Sequence, residues 1–152
     1  TQICIKLNNK ELKSNLKSGY KKGTYLEQTE VFINHDNLTS LPQGLLRLEN
    51  LEYLNIHSNN FKKIPEEVYY FPKLKRLVIG YNRIKELPER IGTIKTLESL
   101  AVNGNELQDL PDTLLTLLNL KYLYLGENNF SVETQVDLYN KYKNKGIELH
   151  FK

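Results

Sequence analysis

Cysteine is nearly absent from this chain, and that scarcity removes two architectures at once. With Cys4 alone, no disulfide can close within the molecule, and no zinc site can be built on several thiolates. No apolar run approaches the ~20 residues that cross a bilayer, so no membrane span is expected. Nor does any stretch combine the charged, apolar and small-residue segments of a signal peptide. Methionine is missing and the first residue is Thr, from which we expect the native polypeptide to begin upstream. Charge of one sign is scarce beyond the first segment. Residues 1–27 carry six Lys against two Glu, whereas the remainder holds 15 basic and 16 acidic residues. Without a basic stripe, nucleic acid is not an expected partner. A glycine-rich phosphate loop, a nucleophile elbow and a His-Glu-x-x-His helix are all lacking. The expectation is therefore a non-enzyme, with no cofactor and no metal.

An apolar share of 39% is low for 152 residues. A stack of thin units tolerates this, because each unit buries only a slab against its neighbours. The sequence carries such a unit. Asn59, Asn82, Asn105 and Asn128 stand 23 residues apart, with Asp36 one step before them. Pro42, Pro65, Pro88 and Pro111 keep the same step, as do Leu45, Val68, Ile91 and Leu114. A fixed period of this length predicts a solenoid.

Within one unit, Leu54 and Ile56 alternate with polar residues, which predicts a short strand with one buried face. Asn59 follows where the chain turns away, Phe61 and Ile64 re-enter the core, and Pro65 fixes the start of the returning arm. Val68, Phe71 and Leu74 then come three apart, the spacing of a helical or 3₁₀ segment. Strands at one end of each coil and helical turns at the other have unequal widths, so the stack must curve with its parallel sheet inside. The recurring Asn is expected to be a structural ladder (Asp36, Asn59, Asn82, Asn105 and Asn128), since its amide both donates and accepts. Asp36 cannot donate when ionised, and that rung is expected to be looser.

The pattern LxxLxLxxNxLxxLPxxI over residues 28–130 resembles the leucine-rich repeat family. Its Leu-Pro step and 23-residue length are similar to the bacterial short-repeat type found in pathogenic spirochaetes such as Leptospira. The resemblance implies an α/β repeat solenoid with the sheet on the concave face and short helical or 3₁₀ turns on the convex face. It also implies a secreted or bacterial cell-surface protein with a protein partner, a host protein among the candidates. One domain over 1–152 is expected: a degenerate first repeat over 1–27, five repeats over 28–130 and a cap over 131–152. In the first, Gly19 and Gly23 lie in an expected irregular helix and loop. In the cap, Ser131 is expected to start a helix carrying Val132, Val136, Tyr139 and Tyr142, followed by a strand at Ile147–Phe151. A monomer is expected, with pairing through the Ile3–Leu7 edge as the alternative.

Residues between the buried strand positions point to the concave surface in four columns. Glu30, Tyr53, Arg76, Ser99 and Tyr122 form the first; Phe32, Asn55, Val78, Ala101 and Tyr124 form the second. Asn34, His57, Gly80, Asn103 and Gly126 follow, and then His35, Ser58, Tyr81, Gly104 and Glu127 at the strand exits. Their types suit a binding surface, and Phe32, Tyr53, His57, Arg76, Val78, Tyr81, Tyr122 and Tyr124 are the expected contact residues. The alternatives are a carbohydrate-binding module using the same tyrosines, or the substrate-choosing segment of a longer enzyme. His35 and His57 are expected to approach each other, but the pattern supplies no third metal ligand.

Overall fold

A computed structural model describes residues 5–6 and 27–152. Seven parallel strands lie side by side in chain order: β1 Ile5–Lys6, β2 Glu30–Phe32, β3 Tyr53–Asn55, β4 Arg76–Val78, β5 Ser99–Ala101, β6 Tyr122–Tyr124 and β7 Glu148–His150. The step from β2 to β6 is 23 residues throughout, so Glu30, Tyr53, Arg76, Ser99 and Tyr122 stand in one row. Ile5 pairs with Val31, a step of 26. The segment expected to form an irregular helix and loop, and Cys4 with it, lies outside the described residues.

Opposite the sheet, four 3₁₀ turns run among the described residues, Gln43–Arg47, Glu66–Tyr70, Glu89–Thr93 and Asp112–Thr116. Each starts at a proline whose fixed φ leaves its carbonyl aimed at the residue three further on. Leu45, Val68, Ile91 and Leu114 donate their N–H groups to Pro42, Pro65, Pro88 and Pro111 at 2.9–3.2 Å. Those same four side chains are wholly buried, so the bond that closes the turn also drives its anchor into the core. Between turn and sheet, Leu54, Ile56, Leu77, Ile79, Leu100, Val102, Leu123 and Leu125 are buried completely. Burying one such side chain contributes roughly 1.5–3 kcal/mol relative to leaving it in water.

The asparagines connect these slabs. Asn59 Oδ1 accepts from the N–H groups of Asp36 and Leu38 in the preceding coil, at 3.1 and 3.0 Å. Its Nδ2 donates to Ile33 O, again in the preceding coil, and to Ile56 O and His57 O of its own turn. Asn82, Asn105 and Asn128 repeat the arrangement, accepting from the N–H groups of Phe61, Ile84 and Leu107 at 3.0 Å. Asp36 stands at the head of this column, its main chain held by Asn59.

The cap departs from the sequence reading in one respect. Helix α1 spans Val132–Lys143, and Ser131 Oγ accepts from Thr134 N–H as an N-cap should. Its buried face, however, is Leu138 and Tyr142, not the expected Val132–Val136–Tyr139–Tyr142 stripe. Val132, Val136 and Tyr139 are 79%, 54% and 58% exposed. Tyr142 fixes the helix phase: it is the largest fully buried side chain among the described residues, and its hydroxyl reaches Pro111 O at 3.4 Å. Lys141 pairs with Asp112, at the start of the last 3₁₀ turn, so its charge serves the stack as well as the helix end.

Candidate functional site

Outward-facing residues of the sheet form two aromatic groups separated by a low rung. In the first, Phe32 meets Tyr53 edge to face, with centroids 5.0 Å apart and planes at 70°. The Arg76 guanidinium lies 5.4 Å from the centre of the same Tyr53 ring. Asn55 Nδ2 donates to the Tyr53 hydroxyl at 3.3 Å while its Oδ1 receives His57 N–H at 3.2 Å. Val78 is half-buried beside Asn55 in the next rung. In the second group, Tyr124 stacks on His150 at 4.7 Å with planes only 12° apart, and Tyr122 stands one column away. Between the groups, β5 offers only Ser99 and Ala101 on this face.

His35 and His57 do come together, edge to face at 4.9 Å, and His57 Nδ1 lies 2.8 Å from Ser58 Oγ. Burial, and then the neighbouring His35, push the His57 imidazole below its ordinary value. No cluster of three or more His, Cys, Asp or Glu that could hold a metal ion occurs among the described residues.

The strand exits hold a feature that pattern reasoning missed. His35, Ser58, Tyr81, Gly104 and Glu127, each 23 residues after the last, all have left-handed backbone with φ between 52° and 65°. A side chain there costs roughly 1–2 kcal/mol, and only Gly104 avoids it. The turn keeps one more rung of the ladder intact. His35, Ser58, Tyr81 and Gly104 donate to Ser58 O, Gly80 O, Asn103 O and Gly126 O at 2.8–3.1 Å. The exit column is therefore constrained by the scaffold. Glycine at four of five places would have signalled it, but this sequence has glycine at one.

Gly104 also makes room for a neighbour. A Cβ built on it would stand 2.6 Å from Tyr81 Cδ1, so the Tyr81 ring lies across that rung. Beyond it, the Tyr81 hydroxyl donates to Glu127 Oε1 at 2.5 Å, and this bond raises the phenol above its ordinary value. Tyr81, Ala101, Tyr124 and Glu127 enclose a hollow of about 400 Å³ over the low rung. A larger hollow of about 1120 Å³ lies on the loop side. Its exposed lining alternates Lys62, Lys63, Arg83 and Lys85 with Glu66, Glu86 and Glu106, of which Lys85 and Glu106 approach to 3.9 Å. Phe61 supplies its floor but is itself only 1% exposed, so that surface is a solvated set of opposed charges.

A curved stack of parallel strands and 3₁₀ turns, bound by an asparagine column and closed by a helix, is the leucine-rich-repeat architecture. Residues 29–84 match the leucine rich repeat family model, and the same unit continues in register through Asn128. Among solved structures, the chain is similar to a leucine-rich-repeat protein of Leptospira interrogans, with a TM-score of 0.66 and 22% identity over 83% of this chain and 38% of that one. It is also similar to an internalin of Listeria monocytogenes, with a TM-score of 0.62 and 24% identity over 82% of this chain and 35% of that one. The chain thus spans little more than a third of the length of either structure. A comparison with curated protein sequences returns no match. The chain has the leucine-rich-repeat fold, and residues 29–84 carry the family's sequence pattern. The fold generally mediates protein–protein interaction, and its members are typically non-catalytic. Among the described residues, no helix is long and apolar enough to cross a membrane.

Proposed function

We propose that this chain is a non-catalytic module that receives a partner protein on its concave sheet face. The contact residues in this reading are Phe32, Tyr53, His57, Arg76, Val78, Tyr81, Tyr122 and Tyr124. The observation that carries it is the pair of aromatic groups already held in place on either side of a low rung. Tyr53 is fixed by Phe32 and Arg76, Tyr124 by His150, and Tyr81 by Glu127. Rings ordered before binding lose little rotamer freedom on association, so more of their contact area contributes to affinity. The family resemblance supports a bacterial surface or exterior setting with a host protein as partner.

The test compares the native chain with a Tyr53→Ala, Tyr122→Ala, Tyr124→Ala variant in capture from host cell-surface and matrix extracts. A protein recovered by the native chain and lost by the folded variant is the expected result. Equal recovery by both rejects the concave face. Retention of glycans that is indifferent to Arg76→Glu would assign the rings to carbohydrate instead. Tyr124→Ala alone should lower stability by less than about 1 kcal/mol, because its ring is 39% exposed and makes one stacking contact. A larger drop in the thermal midpoint would make the ring a structural element unavailable to a ligand.

A further inference from the structure

Within that face, and resting on its reading as a protein-binding surface, the hollow beside Gly104 has its own chemistry. We infer that it is a subsite for the ε-ammonium group of a lysine on the partner protein. Glu127 is its charged anchor. None of the ion pairs among the described residues involves Glu127, so its carboxylate meets only the neutral Tyr81 hydroxyl. It stands on the concave side of the last full repeat at φ 55°, a strained position where the preceding rung uses glycine.

Two aromatic rings frame that carboxylate. One face of Tyr124 is covered by His150, while the other looks over Ala101, whose methyl group leaves the ring accessible from the hollow. A cation over the face of a tyrosine is attracted by the ring's quadrupole. Tyr81 forms the opposite wall. Lys152 also lines the hollow, with its main chain about 3.1–3.4 Å from where a Gly126 Cβ would stand and its side chain exposed to solvent, where an incoming ammonium has to displace it.

The hydrogen bonding selects lysine over arginine. A guanidinium pairs best with both oxygens of a carboxylate at once. Here Oε1 already accepts from Tyr81, so Oε2 is the oxygen with its full acceptor capacity open and a two-pronged guanidinium would have to share Oε1 with the phenol. A compact ammonium uses one oxygen and one ring face without displacing Tyr81.

The test is a titration of isotope-labelled protein with Nα-acetyl-lysine N-methylamide, followed by nuclear magnetic resonance. Parallel titrations use the Nε-acetylated form and the arginine equivalent. Saturable shifts at Gly104, Gly126 and Glu127 are expected with the lysine compound and not with its neutral form, and arginine should bind more weakly. Glu127→Gln keeps the shape and the Tyr81 bond but removes the charge, and should weaken binding roughly fivefold, the value of one exposed charged contact. Ala101→Leu fills the hollow from a position facing out of the core and should abolish the shifts. Shifts shared by the neutral compound, binding unchanged in Glu127→Gln, or tighter binding of arginine would each overturn the assignment. Capture of a partner that the triple tyrosine variant loses but Glu127→Gln retains in full would reject the subsite and leave the face standing. Lysine binding in the hollow with equal capture by native and triple variant would reject the face.

Discussion

Asn82→Ala should destabilise the protein by roughly 3 kcal/mol, through groups it leaves buried and unsatisfied. The Phe61 N–H, which Asn82 Oδ1 accepts at 3.0 Å, has no water to turn to, because Phe61 is only 1% exposed. The carbonyls of Ile56, Ile79 and Gly80 lose their shared donor at the same time. At roughly 2–4 °C per kcal/mol for a chain of this size, the thermal midpoint should fall by roughly 6–12 °C. Asn60→Ala is the control: its amide makes one surface bond, to Asn37 Oδ1 at 3.4 Å, and its loss should be close to neutral. Equal midpoints for the two variants would reject the ladder as a source of stability.

Tyr142→Ala should cost as much or more, about 3–5 kcal/mol, as a large aromatic removed from a packed interior. The loss should be local at first. Leu138 and Tyr142 are the buried face of α1, so the helix that closes the stack is released, and with it β7. The measurement is native-state hydrogen exchange: the Leu125 N–H, bonded to His150 O at 2.7 Å, should lose protection while Ile79 N–H, bonded to Ala101 O, retains it. Uniform loss along the chain, or none, would show that the helix does not act as a cap. Burial also raises the Tyr142 phenol above its ordinary 10.0. The sign follows from linkage: its contribution is present in full below pH 10 and lost as pH rises from there through the folded value, because the unfolded chain releases the proton first.

Much of this architecture was legible because each coil obeys the same local rules. The 23-residue step places Tyr53 beside Arg76 in one column and Asn59 beside Asn82 in another from the sequence alone. The helix face was not legible in the same way. Val132, Val136 and Tyr139 have helical spacing, but so do Leu138 and Tyr142, and only contact with Pro111 decides which pair faces inward. The exit column was hidden for a different reason. Left-handed backbone is normally announced by glycine, and His35, Ser58, Tyr81 and Glu127 occupy it without that signal. The Tyr81–Glu127 bond spans 46 residues, two full coils, and only the tertiary arrangement brings its partners together. The site was thus visible as columns of residue types, while its internal bonding was not.

The bonds between coils have fixed reach. Asparagine amides connect residues 21 and 26 apart, and the strand ladder connects residues 23 apart. Between β2 and β6 a duplicated coil would find every partner it needs, whereas the end coils already pair strands at a step of 26, where the asparagine column does not run. The asparagine-bonded part of the stack therefore lengthens in whole steps. Each step between Arg76 and Tyr122 would widen the separation of the two aromatic groups by one strand spacing, about 4.8 Å. The protein is in this sense a ruler with a fixed graduation, and partners of different breadth are accessible to it by counting coils, with no redesign of the core.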